Sequence, residues 1–156
     1  MNITRRLFTV MLFSTIAMPG IADTKPAEIP WDNFFTALWQ IESSSRINPP
    51  DGDNGNAIGP YQIWRGYWID AKEYDPSLVA NGETYESCRD KAYSEKVVRA
   101  YMSRYGNARR IGRTPTVQDL AAIHNGGPNG FKRIDSNENL KRYVRRFMTV
   151  YNNIEE

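Results

Sequence analysis

The 156-residue sequence contains a single cysteine, Cys88, and a single histidine, His124. One cysteine can close no intramolecular disulfide, and it cannot supply the thiolates of a cysteine-based zinc site. One histidine without a cysteine cluster makes no convincing metal site. The chain has no glycine-rich phosphate loop and no serine nucleophile in a recognisable elbow. No internal repeat or low-complexity tract is present. The longest apolar run, LFTVMLFSTIAM at 7–18, is too short to anchor in a bilayer, which takes roughly 20 residues. An excess of one charge sign is also missing: 20 basic residues face 18 acidic ones.

What is present begins with an address label. Arg5 and Arg6 precede the apolar run, Pro19 and Gly20 break it, and the small residues of Gly20-Ile21-Ala22 suit a signal peptidase. Residues 1–22 therefore read as a secretory signal, and residues 23–156 as one mature domain that is secreted or periplasmic. TRRLF at 4–8 also resembles the start of a twin-arginine signal, but so apolar a run favours the ordinary secretory route. Without residues 1–22 the basic and acidic groups balance at 18 each, unevenly spread. Residues 23–88 carry 4 basic and 11 acidic groups; residues 89–156 carry 14 and 7. The basic half is either a solvated face or a surface for an anionic polymer.

Helical spacing dominates the mature chain. Trp31, Phe34, Phe35, Leu38 and Ile41 predict a first helix over 31–44, with Asp32 suited to its first turn. A second, short helix over 66–74 is closed by Asp75-Pro76. A third is expected over 85–105, ending at Gly106, and a fourth from Thr114-Pro115 to Gly126-Gly127. Leu140, Val144, Phe147 and Tyr151 form the stripe of a last helix over 137–151. Any strands must be short and lie in the polar loop over 47–63. The expectation is a small, helix-dominated α+β domain with a short β/loop arm after its first main helix.

The candidate chemistry gathers around that arm. Glu42 lies four residues after Leu38 and seven after Phe35, so it extends the apolar stripe of its own helix. A carboxyl there is either a fraying helix end or a partly desolvated group. Desolvation raises its pKa and fits it for general acid work. Asp51 and Asp53 lie in wetter, glycine-rich surroundings. Two carboxyls in contrasting environments are what glycosidic cleavage needs, one to give a proton and one to stabilise or attack. A calcium loop beginning at Asp51 fails, because the required glycine and final glutamate fall on Asn56 and Gln62. His124 continues the apolar face of its helix into His124-Asn125-Gly126-Gly127, an open backbone able to receive a ligand. Most aromatics should be core, but Tyr61, Trp64, Tyr67 and Trp68 flank the loop, where some could stack on sugar rings.

These residues carry a resemblance. ALWQIESSS, GPYQIWRGYWIDA, RAYMSRYG and TPTVQDLAAIHNGGPNG, in that order, resemble the invertebrate-type lysozymes over about Phe34 to Arg146. The resemblance implies a lysozyme-like α+β fold and a muramidase, hydrolysing peptidoglycan between N-acetylmuramic acid and N-acetylglucosamine. It places Glu42 as the general acid and a second carboxylate in the arm, where spacing fits Asp53 better than Asp51. Tyr61, Gln62, His124, Asn125 and Gly126 match cleft positions. Peptidoglycan glycan strands are the implied partner, for a monomer with no cofactor or metal, no nucleic acid, and no stable membrane insertion after signal removal. The departure is in cysteine: the family is disulfide-rich, and Ile58 and Phe131 stand where its members commonly carry cysteine. The chain is expected to be a disulfide-free, bacterial relative. Two other readings compete: a lytic transglycosylase, which needs no catalytic aspartate, and a non-catalytic wall-binding module.

Overall fold

The computed structural model describes residues 29–154, so the signal read over 1–22 lies outside the described residues. Helix α1, Trp31–Ser43, buries Phe34, Phe35, Ala37 and Leu38 on one stripe. It stops because Ser44 and Ser45 turn to positive φ, 53° and 58°. The backbone N–H of Ser44 then returns to the Gln40 carbonyl.

The arm that follows is tied down at several points. The indole N–H of Trp39 donates to the Arg46 carbonyl at 2.8 Å. Strands β1, Ala57–Ile58, and β2, Ile63–Trp64, pair antiparallel with Ala57 opposite Trp64 and Ile58 opposite Ile63. A further bridge joins Gly52 to Ala57. The strands thus fall where the sequence left room for them, β2 running one residue past 63. Gly59, at φ +73°, cannot be replaced without strain, because a Cβ there would stand 1.9 Å from the Cys88 carbonyl oxygen. Tyr61 and Ile63 are buried, whereas Gln62, at φ +47° in the turn before β2, is half-buried and Trp64 is exposed.

Helix α2, Arg65–Tyr74, packs against α3, Lys91–Tyr105. The continuous helix expected over 85–105 is divided in two. A 3₁₀ turn covers Tyr85–Arg89, and Asp90 then adopts extended backbone and caps α3 through the N–H of Tyr93 at 2.8 Å. An aspartate capping the helix after it competes with a helix running through it, and here the cap prevails. The short helix α4, Ala108–Ile111, carries no apolar stripe and had no signal beyond its Asn107 cap.

Helix α5, Val117–Gly126, starts with a reciprocal capping box between Thr116 and Asp119. Asp119 is almost fully buried and is held by a bidentate pair with Arg113 at 2.6 and 2.8 Å. Helix α6, Glu138–Ile154, buries the stripe Leu140, Val144, Phe147 and Tyr151, and lies along α1. One core cluster joins Phe34 and Leu38 of α1, Tyr61 and Ile63 of the arm, Val97 and Val98 of α3, Leu120 of α5 and Phe147 of α6. A smaller one, Ala122, Leu140 and Val144, seals α5 to α6. The molecule is a small, helix-dominated, lysozyme-like α+β domain. Among the described residues, no helix is long and apolar enough to cross a membrane.

Candidate active site

Glu42 occupies the last turn of α1, one residue before the helix stops, with its side chain only 15% exposed. The Tyr143 hydroxyl of α6 donates to its Oε1 at 2.5 Å. His124 Nε2 of α5 stands 3.6 Å from the same oxygen. Burial raises the Glu42 carboxyl from an ordinary 4.5 to about 7, against the Tyr143 hydrogen bond and the Arg146 charge, which both pull it down. Three helices therefore meet at one carboxyl that can hold or release a proton near neutrality.

His124 is itself fixed by two partners. Nε2 lies 3.2 Å from the Tyr61 carbonyl oxygen, and Nδ1 lies 3.3 Å from the Tyr67 hydroxyl. A carbonyl can only accept, so Nε2 carries the hydrogen and Nδ1 accepts from Tyr67. The ring is 4% exposed, and burial lowers its pKa from 6.5 to about 4. It is neutral at physiological pH and brings no cation to Glu42. Tyr67 is held in turn by stacking on Tyr101, ring centroids 3.5 Å apart.

Across from Glu42, the arm supplies the second wall. A cleft of about 420 Å³ lies between them, with Asp53, Gln62 and Trp64 on the arm side and Glu42, His124 and Asn125 on the helical side. Asp53 is exposed and sits at φ +46°, followed by Asn54 at +57°; the Asn56 amide donates to the Asp53 carbonyl at 2.9 Å and closes this tight tip. Gln62 spends its amide hydrogens on the Pro50 and Gly59 carbonyls, at 3.3 and 3.0 Å, and so binds the arm to its own turn. Trp64 keeps half its surface open to the cleft. Asp51 is engaged elsewhere. It forms a bidentate pair with Arg89 at 2.5 and 3.0 Å, which holds its carboxyl below the ordinary value, and it does not line the cleft.

The structure thus brings Glu42, Asp53, Gln62, His124 and Asn125 to one cleft and places two expected cleft residues elsewhere. The Tyr61 side chain is buried, packs against Phe35 and donates its hydroxyl to Glu95 at 2.7 Å; only its backbone carbonyl faces the site. Gln62 takes φ +47° in the turn just before β2, so Tyr61 lies outside the strand and its side chain enters the core. Gly126 is a packing glycine, since a Cβ there would meet a Leu140 methyl at 2.9 Å. Sequence reasoning missed Tyr143 and gave Tyr67 no partner. Tyr143 lies three residues after Leu140 and four before Phe147, so the stripe of α6 already put it at the apolar edge. Among the described residues, no three His, Cys, Asp or Glu side chains gather into a group able to hold a metal ion.

A carboxyl whose proton is governed by burial thus stands beside a polar cleft on a lysozyme-like scaffold. Comparison with known proteins specifies the family. Residues 35–149 match the family described as Destabilase, and the chain belongs to that family. It is 37% identical over 94 residues to Lysozyme 1 of Crassostrea virginica, a match covering 60% of this chain and 44% of that protein. It is 36% identical over 75 residues to Lysozyme of Ostrea edulis, covering 47% of this chain and 48% of that protein. The matched segments span less than half the length of either oyster protein.

Proposed function

We propose that the protein is a peptidoglycan hydrolase, a muramidase that cleaves the β-1,4 bond between N-acetylmuramic acid and N-acetylglucosamine. The observation that carries this reading is the Glu42 carboxyl, pushed up to about 7 by burial at the mouth of the cleft. A glycosidic oxygen is a poor leaving group until it is protonated, and Glu42 is the group able to protonate it. Asp53, exposed on the opposite wall, is the second carboxylate: it either activates the incoming water or forms the intermediate that water opens. Trp64 offers its face to a sugar ring in the same cleft. The oyster relatives, named lysozymes, support the same reading. We place the activity outside the cytoplasm, after removal of residues 1–22, which mass spectrometry of the exported protein would verify by an N-terminus near Asp23.

Digestion of purified peptidoglycan tests the reaction. A muramidase leaves reducing N-acetylmuramic acid ends, whereas a transglycosylase leaves 1,6-anhydro ends lighter by one water. Reducing ends are expected, and Glu42→Gln should lower turnover roughly 100-fold or more while the fold is kept. Mainly anhydro products would make the protein a transglycosylase. A digest with no soluble products would favour a wall-binding module.

A further inference from the structure

We propose that Tyr143 is a positioning residue that assigns the transferable proton to one particular oxygen of Glu42, Oε2. This rests on the proposed role of Glu42 as general acid and specifies how that acid is presented. Tyr143 donates to Oε1 at 2.5 Å, while Nε2 of neutral His124, its hydrogen given to the Tyr61 carbonyl, lies 3.6 Å from the same oxygen. In the neutral acid, the oxygen that accepts from Tyr143 takes the carbonyl role. The proton of the neutral acid therefore resides on Oε2.

The groups facing Glu42 come from four elements. Tyr143 and Arg146 stand on α6 and His124 on α5; Tyr67 on α2 reaches it through His124; Asp53 shares the cleft from the arm. His124 cannot act as a base toward substrate, because one ring nitrogen is committed to the Tyr61 carbonyl and the other to the Tyr67 hydroxyl. It serves instead as a rigid neutral wall that keeps Oε1 turned toward Tyr143.

In the step itself the proton passes from Oε2 to the glycosidic oxygen. The electron pair of the breaking carbon–oxygen bond goes to that oxygen, which leaves as the new hydroxyl. Glu42 becomes a carboxylate, and Tyr143, already hydrogen-bonded to Oε1, stabilises the charge as it forms. The water that completes hydrolysis returns a proton to the site.

Tyr143→Phe keeps the ring and removes only the hydroxyl. The expected result on peptidoglycan is a loss of kcat of roughly 10-fold or more with KM unchanged, from losing a hydrogen bond to a group that becomes charged. The alkaline limb of the pH–rate profile should move to higher pH, since the carboxylate has lost its donor. Replacing Tyr143 with 2,3-difluorotyrosine, a stronger donor of the same shape, should move that limb to lower pH. Infrared titration of the Glu42 carboxyl, read against Glu42→Gln, should show the same two opposite displacements independently of turnover. If the limb and the infrared titration stay in place in both Tyr143 variants while Glu42→Gln is inactive, Tyr143 does not position the proton. If Glu42→Gln retains normal turnover, the general-acid reading itself fails, whatever Tyr143 does.

Discussion

A buried carboxyl and a buried imidazole 3.6 Å apart make opposite demands on pH. Glu42, raised to about 7, favours the folded state when protonated, so its contribution is full below 4.5 and is lost as pH rises to 7. His124, lowered to about 4, favours the folded state when neutral, so its contribution is full above 6.5 and is lost as pH falls toward 4. Between 4.5 and 6.5 the two changes offset each other; above 7 only the cost of the ionised Glu42 remains. Glu42→Gln should therefore be more stable than the parent at pH 8, by on the order of 3 kcal/mol, and nearly equal to it at pH 4. Thermal melts of both proteins across that range measure the difference. A parent as stable as the variant at pH 8 would mean that Glu42 is solvated in the folded protein. For the general acid proposed here, destabilising its own fold when ionised is a familiar form of the conflict between stability and activity.

The arm is the element in which the two aspartates part company. Asp51 is bound to Arg89, which also holds Glu86 at 2.9 Å, so it works as a clasp between the arm and the 3₁₀ turn before α3. Asp53 lies two residues further on, past the clasp and on the cleft wall. Asp53→Asn should reduce peptidoglycan turnover at least 100-fold, as expected for the partner of a general acid. Asp51→Asn should change the melting temperature little, because the pair it breaks is exposed and screened by solvent, and should leave most of the turnover. Turnover and melting of the two variants decide the ranking, and the reverse order would move the role to Asp51. Much of this could be read from the chain. The helices with clean apolar stripes, α1, α5 and α6, were legible, as was a two-carboxyl arm after Glu42. The inward turn of Tyr61 was not, because Gln62 takes φ +47° and strand alternation begins only at Ile63. The pairing of Tyr143 with Glu42 was not. It spans 101 residues and depends on how α6 lies along α1, which no local pattern encodes.

At the scale of the whole molecule, cohesion comes from packing and polar contacts, since one cysteine can close no intramolecular disulfide. Cys88 is fully buried, and burial pushes its thiol up to about 12, so it is a small core residue and not a reactive one. Reductant should leave both the melting temperature and turnover unchanged. A thiol reagent should label the protein only as fast as it unfolds, and rapid labelling of the native protein would contradict the burial of Cys88. The closure of α6 onto α1 joins nearly the first described helix residue to the last, and it has a consequence in time. During synthesis Glu42 leaves the ribosome 101 residues ahead of Tyr143, a lag of about 5 to 20 s at about 5–20 residues per second. Through that interval its carboxyl lacks the wall of α6. Solvated, it is ionised at neutral pH and has no proton to give. The carboxyl of the newborn chain thus acquires its raised pKa only when the final helix is complete.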